Sequence, residues 1–360
     1  MTIATISIEE LVIPATLGDP AAADFVEMTN VRNAIESEAI GSNALAVTAT
    51  ELLSVYRFRG HDPKRIFVAR IDGRIVGRAI LNWSIAPGSA SSWITAEALP
   101  AMRGRGIGSA LFDHVEGLAR QSGRPIVQTD PVHTATVGGQ RVPSPTGYGD
   151  VPAADPGVRF LIARGYRLEQ VGLISFLDLP VDPDVLAAAE RRAAHPSGSD
   201  YEIAGWTGRT PARWILDMAT LKTRMSTDQP RAGLEVDEEP WDEARMIVRD
   251  DAIEAGGRTI LTAAALHTAS GNLCGFSELT IPREGGGTVR QEDTLVLAEH
   301  RGHRLGMLLK IANLQRLASV SPRSRMVYTF NAAENRHMLA VNEALGFRSV
   351  GLEGAWRNRD

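Results

Sequence analysis

The sequence predicts an α/β (α+β) chain of two similar halves, each a mixed, mostly antiparallel central sheet flanked by helices. Three observations carry this. Residues 92–99 mix aromatic, branched and polar side chains like a half-buried strand. They run into a glycine-rich turn, Arg103-Gly104-Arg105-Gly106-Ile107-Gly108, and then a helix with Ile107, Ala110, Leu111, Val115 and Leu118 on one face. The same order returns at 294–306, where Arg301-Gly302-His303-Arg304-Leu305-Gly306 opens a helix carrying Leu305, Leu308, Leu309, Ala312 and Ala318 on or near one face. Arg103 aligns with Arg301, an offset of about half the chain, and an internal repeat outranks local detail when assigning architecture. Each turn also follows a hairpin signal. Asp72-Gly73 lies between the apolar runs 65–71 and 75–85, and Ser270-Gly271-Asn272 lies between 259–267 and 273–281.

A length of 360 residues suits two domains at roughly 100–200 residues each. The expected units are 1–180 and 201–360, joined by a linker at 181–200 in which Pro180, Pro183 and the Pro196–Ser199 run bracket an Ala/Arg/Glu helix. The net charge of −5 leaves no basic field for nucleic acid. The lone cysteine, Cys274, excludes an internal disulfide and a cysteine-rich zinc site, so no metal is expected; it reads as a small buried hydrophobe. No apolar run approaches the roughly 20 residues that span a bilayer, and no signal peptide is visible. The expected location is the cytoplasm, without a membrane partner.

In chain order, 3–17 reads as a strand and a Pro/Gly loop, and 21–40 and 49–59 as helices. The hairpin, the strand before the first turn, its helix and a short strand at 125–129 follow. Residues 131–157 are rich in Gly, Pro, Thr and Ser without period, either a substrate-covering flap or an inert insertion. A short helix closes at Gly165-Tyr166, and a strand runs over 168–179. The second half repeats this: a strand from 201, helices near 211–224 and 241–255, the hairpin, the turn and helix, a strand at 325–330, a helix over 335–345 ended by Gly346-Phe347, and a strand near 349–352.

The turns suggest a first chemistry. Glycines let the backbone bend sharply and keep side chains away from its amides. A helix start offers unpaired N–H groups and partial positive charge, so a phosphate is the natural guest. One competing reading is a dinucleotide fingerprint, Gly104-x-Gly106-x-x-Ser109 with Asp130 as the ribose acid. The hairpins before the turn speak against it, because that fold needs parallel crossovers. The second turn also keeps the arginine but not Gly-x-Gly.

The first turn resembles in full the acetyl-CoA signature of the GNAT superfamily of N-acetyltransferases, (Arg/Gln)-x-x-Gly-x-(Gly/Ala). The second departs from it at Arg304, which stands at the first signature glycine. Phe160…Gly165-Tyr166 and Asn335…Asn342…Gly346-Phe347 resemble the family's second motif. The likeness covers nearly the whole chain twice, and it resembles the two-domain architecture of the mycothiol synthase type. It implies acetyl-CoA as cosubstrate and direct transfer of the acetyl group to the amine of a small molecule in a ternary complex. The pyrophosphate would sit on the amides of Arg103, Gly104, Arg105, Gly106, Ile107, Gly108 and Ser109, or of Arg301, Gly302, His303, Arg304, Leu305, Gly306 and Met307. Leu99 and Leu297 mark where a strand amide meets the thioester carbonyl.

Candidate bases are carboxylates of the central strands: Glu278, Glu292 and Asp293 in the second half, with Glu97 the comparable residue in the first. The tyrosine that often serves the leaving sulfur in this family is Leu161 in the first half and Asn342 in the second. The second half is the expected catalytic one, with Asn331 and Asn335 at its polar strand end. A non-catalytic acyl-CoA sensor, a different acyl donor and a hydroxyl acceptor are the alternatives. Monomer and homodimer are both open.

Overall fold

The computed structural model describes residues 6–58, 63–134, 138–193 and 200–359. The end of the helix expected at 49–59 and the 196–199 loop lie outside these residues.

β1 (Ser7–Glu10) leads through α1 (Ala22–Ile40) and α2 (Ala49–Arg57) to β2 (Lys64–Ile71), β3 (Arg74–Asn82) and β4 (Ser91–Ala98). Thr48 and Glu51 cap the start of α2 reciprocally. Asp72 and Gly73, at φ 50° and 78°, form the two left-handed positions of the β2–β3 hairpin. After the first turn come α3 (Ile107–Gln121) and β5 (Ile126–Thr129), which runs parallel to β4. The stretch 131–157 holds β6 (Val132–Thr134), β7 (Arg141–Pro143) and β8 (Asp150–Pro152); β7 and β8 make a small hairpin. Asp155 caps α4 (Pro156–Ala163), with proline in its favoured first position. β9 (Arg167–Asp178) and α5 (Pro183–Ala193) follow.

The second half repeats the order with β10 (Tyr201–Thr207), α6 (Ile215–Asp228), α7 (Glu243–Ala255), β11 (Arg258–His267), β12 (Asn272–Pro282), β13 (Thr288–Val296), α8 (Leu305–Val320), β14 (Met326–Ala332), α9 (Arg336–Ala344) and β15 (Arg348–Arg357). α7 begins two residues later than its periodicity suggests because Asp242 caps it.

One sheet runs through both halves in the order β1-β2-β3-β4-β5-β15-β9-β14-β13-β12-β11-β10, with β6 also paired to β15. The last strand of each half therefore crosses to the other. β15 pairs β5 of the first half, and β9 pairs β14 of the second. The cores follow the strands. Trp356 and Leu352 of β15 are buried with Val115, Val127 and Leu168, whereas Leu177 of β9 packs with Val327, Leu345 and Phe347. The proposed units 1–180 and 201–360 thus interlock through their terminal strands.

Candidate active site

Both turns adopt one backbone. Gly104 and Gly106 sit at φ 74° and 82°, and Gly302 and Arg304 at φ 86° and 56°. Arg304 is therefore an arginine in a left-handed position, at roughly 1 kcal/mol of local strain. Its guanidinium is held by the carbonyl of Arg192 at the end of α5. No side chain caps α3 or α8, so their first amides face outward. A Cβ added at Gly106 or Gly306 would meet nothing within 4 Å, which places open space in front of each turn.

The signature arginines are clamps. Arg103 makes a fork to Glu38 of α1 at 3.1 and 2.9 Å, and Arg301 reaches Asp228 at the end of α6 at 2.8 Å. Arg105 is exposed, while Ile107 and Leu305 turn inward and anchor the helix starts. Gly108, Ser109 and Met307 are half-buried in the first turns of their helices, and His303 stacks against Tyr201 with ring centres 5.0 Å apart. Leu99 and Leu297 are corrected as amide donors to an acyl carbonyl. Their N–H groups already close the hairpin ladders, to Val76 at 2.9 Å and Cys274 at 3.0 Å.

The halves differ in what lies beyond the turn. β13 and β14 pair only over Thr288–Arg290 and Met326–Tyr328, then part. A cavity of about 920 Å³ lies along the second turn from His300 to Gly306 and is bordered by Tyr148 from the 131–157 stretch. It shares Met225, Gln229, Thr294, Asn335 and Met338 with an inner cavity of about 360 Å³ between the parted strands. Together they form one cleft from the turn to the strand interior.

In the first half β4 and β5 part in the same way, but the cavity there is about 260 Å³ and none of the residues lining it belongs to the turn. Phe112 of α3 lines this cavity and packs edge-on against Phe160 and Tyr166, with ring centres 5.2 and 5.4 Å away. Glu36, Glu97, Asp130 and Glu353 gather on this smaller cavity, with Arg32 and Arg78. Asp130 is open to it, yet loss of water there, with Glu97 and Glu36 nearby, pushes its carboxyl up to about 6.

The expected bases separate. Glu278 is corrected: it is a structural anion. It is fully buried and takes Lys222 at 2.6 Å and Arg249 at 3.0 and 2.6 Å. Desolvation pushes its carboxyl up, but Arg249 and then Lys222 outweigh it and hold the group at about 2. Such an anion does not take protons near neutrality. Glu97 is likewise tied, by Arg78 at 2.8 Å.

Glu292 and Asp293 both line the inner cavity although they are consecutive on a strand. A register shift explains this: Ser277 pairs Thr294 while Leu279 pairs Gln291, so both residues oppose Glu278 in a β-bulge. β4 runs without such a shift against β3. Asp293 shares Lys222 at 2.8 Å, whereas the Glu292 carboxylate accepts only the Thr280 hydroxyl at 2.7 Å among the described residues. Asn331 accepts from Asn342 at 2.7 Å, and Asn335 caps α9; both line the cleft.

Sequence reasoning missed Lys222, Arg249, Lys310, Tyr148 and Glu353. For Lys310 a signal existed: aligning the turns places it opposite Phe112, a charge inside an apolar stripe.

Residues 35–135 match the acetyltransferase (GNAT) family model. The chain is similar to a tandem GNAT protein from the clavulanic acid biosynthesis pathway, at 24% identity, 98% coverage of both chains and a TM-score of 0.73. It is also similar to a GCN5-related N-acetyltransferase from Sphaerobacter thermophilus, at 16% identity, 98% and 95% coverage and a TM-score of 0.60. Among curated proteins none matches this sequence. The chain has the fold of a tandem GNAT protein, in two interlocked copies, the first of which carries the segment that the acetyltransferase (GNAT) family model matches.

Proposed function

We propose that the protein transfers an acetyl group from acetyl-CoA to the amine of a small molecule, and that the second half performs the reaction. The observation that carries this is the cleft joining the second turn to Glu292 and Asp293. In the first half no residue of the turn lines the cavity between the parted strands, so that half shapes and supports the site. The amides of 304–306 hold the pyrophosphate, since that of Met307 already donates to the Arg304 carbonyl at 3.1 Å, and the pantetheine arm lies between the parted β13 and β14. The acceptor enters as the free amine from the side of Glu292, whose second carboxylate oxygen accepts a hydrogen bond from it. Direct attack in a ternary complex then needs only that both ligands be held together.

Release of CoA when acetyl-CoA meets a panel of small amines is the expected result, and none across a broad panel argues against the reading. A panel of longer acyl donors and of hydroxyl acceptors separates the neighbouring chemistries. Glu292→Gln is expected to lower kcat/KM for the amine by about 100-fold while leaving acetyl-CoA affinity near wild type. An unchanged kcat/KM removes Glu292 from the site.

A further inference from the structure

The inner cavity holds one nitrogen base among its described residues. Lys310, six residues into α8, is 2% exposed and lines this cavity, and neither a hydrogen bond nor an ion pair ties its ammonium to a described residue. Its Nζ lies 5.7 Å from the centre of the Phe347 ring. A buried ammonium without a partner is costly. The fold itself does not require it, since the equivalent Phe112 packs apolar in the first half.

The charged groups facing the same space are Glu292 and Asp293 of β13 and Glu353 of β15; the lining residues from α6, β9, β14 and α9 are uncharged. Asp293 is committed to Lys222. Burial, with Asp130 and Glu36 behind it, raises the Glu353 carboxyl well above its ordinary range, which favours its neutral form. Gly172, paired directly opposite, leaves room for that carboxyl.

Resting on the acetyl-transfer reading above, we propose that Lys310 carries the proton of the reaction, from the attacking nitrogen to the leaving sulfur. The free amine of the acceptor attacks the thioester carbon and the C–N bond forms. The unprotonated Lys310 amine removes a proton from the now positive nitrogen. The C–S bond breaks with its electron pair on sulfur, and the Lys310 ammonium protonates the thiolate. Amide and thiol result, and the lysine returns neutral. Desolvation supports this by lowering the Lys310 ammonium to about 7, where both forms are populated.

The chain has three lysines, Lys64, Lys222 and Lys310, so lysine-selective 15N labelling of the full-length protein gives three side-chain signals. One signal, absent in Lys310→Met, is expected to titrate near neutrality. Lys310→Met and Lys310→Arg are both expected to lose about 100-fold in kcat/KM and the ascending limb of the pH profile, with acetyl-CoA affinity retained. A Lys310 signal that stays charged above pH 9, or a Lys310→Met enzyme with the wild-type pH profile, overturns the proposal while leaving acetyl transfer intact. Wild-type protein that binds acetyl-CoA but acetylates no amine overturns the transfer reading, and the proton role with it.

Discussion

Glu278→Ala is expected to destabilise the fold by about 3–5 kcal/mol, the range for leaving buried charges without their partner. The substitution removes the anion between Lys222 of α6 and Arg249 of α7, both nearly buried. Lys222 keeps Asp293 and Arg249 keeps Asp250 at 3.2 Å, so the positive charges are only partly compensated. Glu278→Gln keeps the volume and should lose almost as much, which separates charge from packing. The pH dependence has a defined sign. The folded carboxyl titrates at about 2, below its ordinary 4.5. Its stabilisation is therefore complete above about 4.5 and declines as the pH falls toward 2. Denaturant unfolding at pH 7 checks the first claim, and a loss under about 1 kcal/mol would contradict it. The wild-type advantage over Glu278→Gln should shrink between pH 5 and pH 3.

Residues 1–180 and 181–360, produced as separate chains, are expected not to fold independently, and to recover a cooperative transition when combined. The reason is strand exchange. Without β15, β5 has no antiparallel partner and the first core loses Trp356 and Leu352. Without β9, β14 keeps its short parallel contact with β13 and the second core loses Leu177. Each fragment would also expose a long strand edge, a template for aggregation. Thermal unfolding of each fragment and of the mixture decides this. A single half that unfolds cooperatively near the wild-type temperature would contradict it.

Features set by neighbours along the chain were legible in the sequence. Asp72-Gly73 announced its hairpin, and the two turns announced the repeat. Arg304 looked like a breach of the second turn, yet it takes the left-handed conformation of the glycine it replaces. What depends on partners far along the chain was not legible. β9 and β15 have the residue pattern of ordinary terminal strands, and nothing within them says which half they join. Glu278 and Glu292 both read as strand carboxylates. Their fates diverge because Lys222 and Arg249, on two separate helices, converge on one of them. The stretch 131–157 lacked periodicity because its strands are three residues long, too short to show an alternation.

Titration of acetyl-CoA into the wild type, Gly106→Glu and Gly306→Glu tests the central claim most directly. The glutamates place bulk and negative charge in the open space before each turn. The account predicts one site, kept in Gly106→Glu and weakened at least about 100-fold in Gly306→Glu, an effect of some 2.7 kcal/mol. A site lost with Gly106→Glu and kept with Gly306→Glu would assign the reaction to the first half and contradict the account.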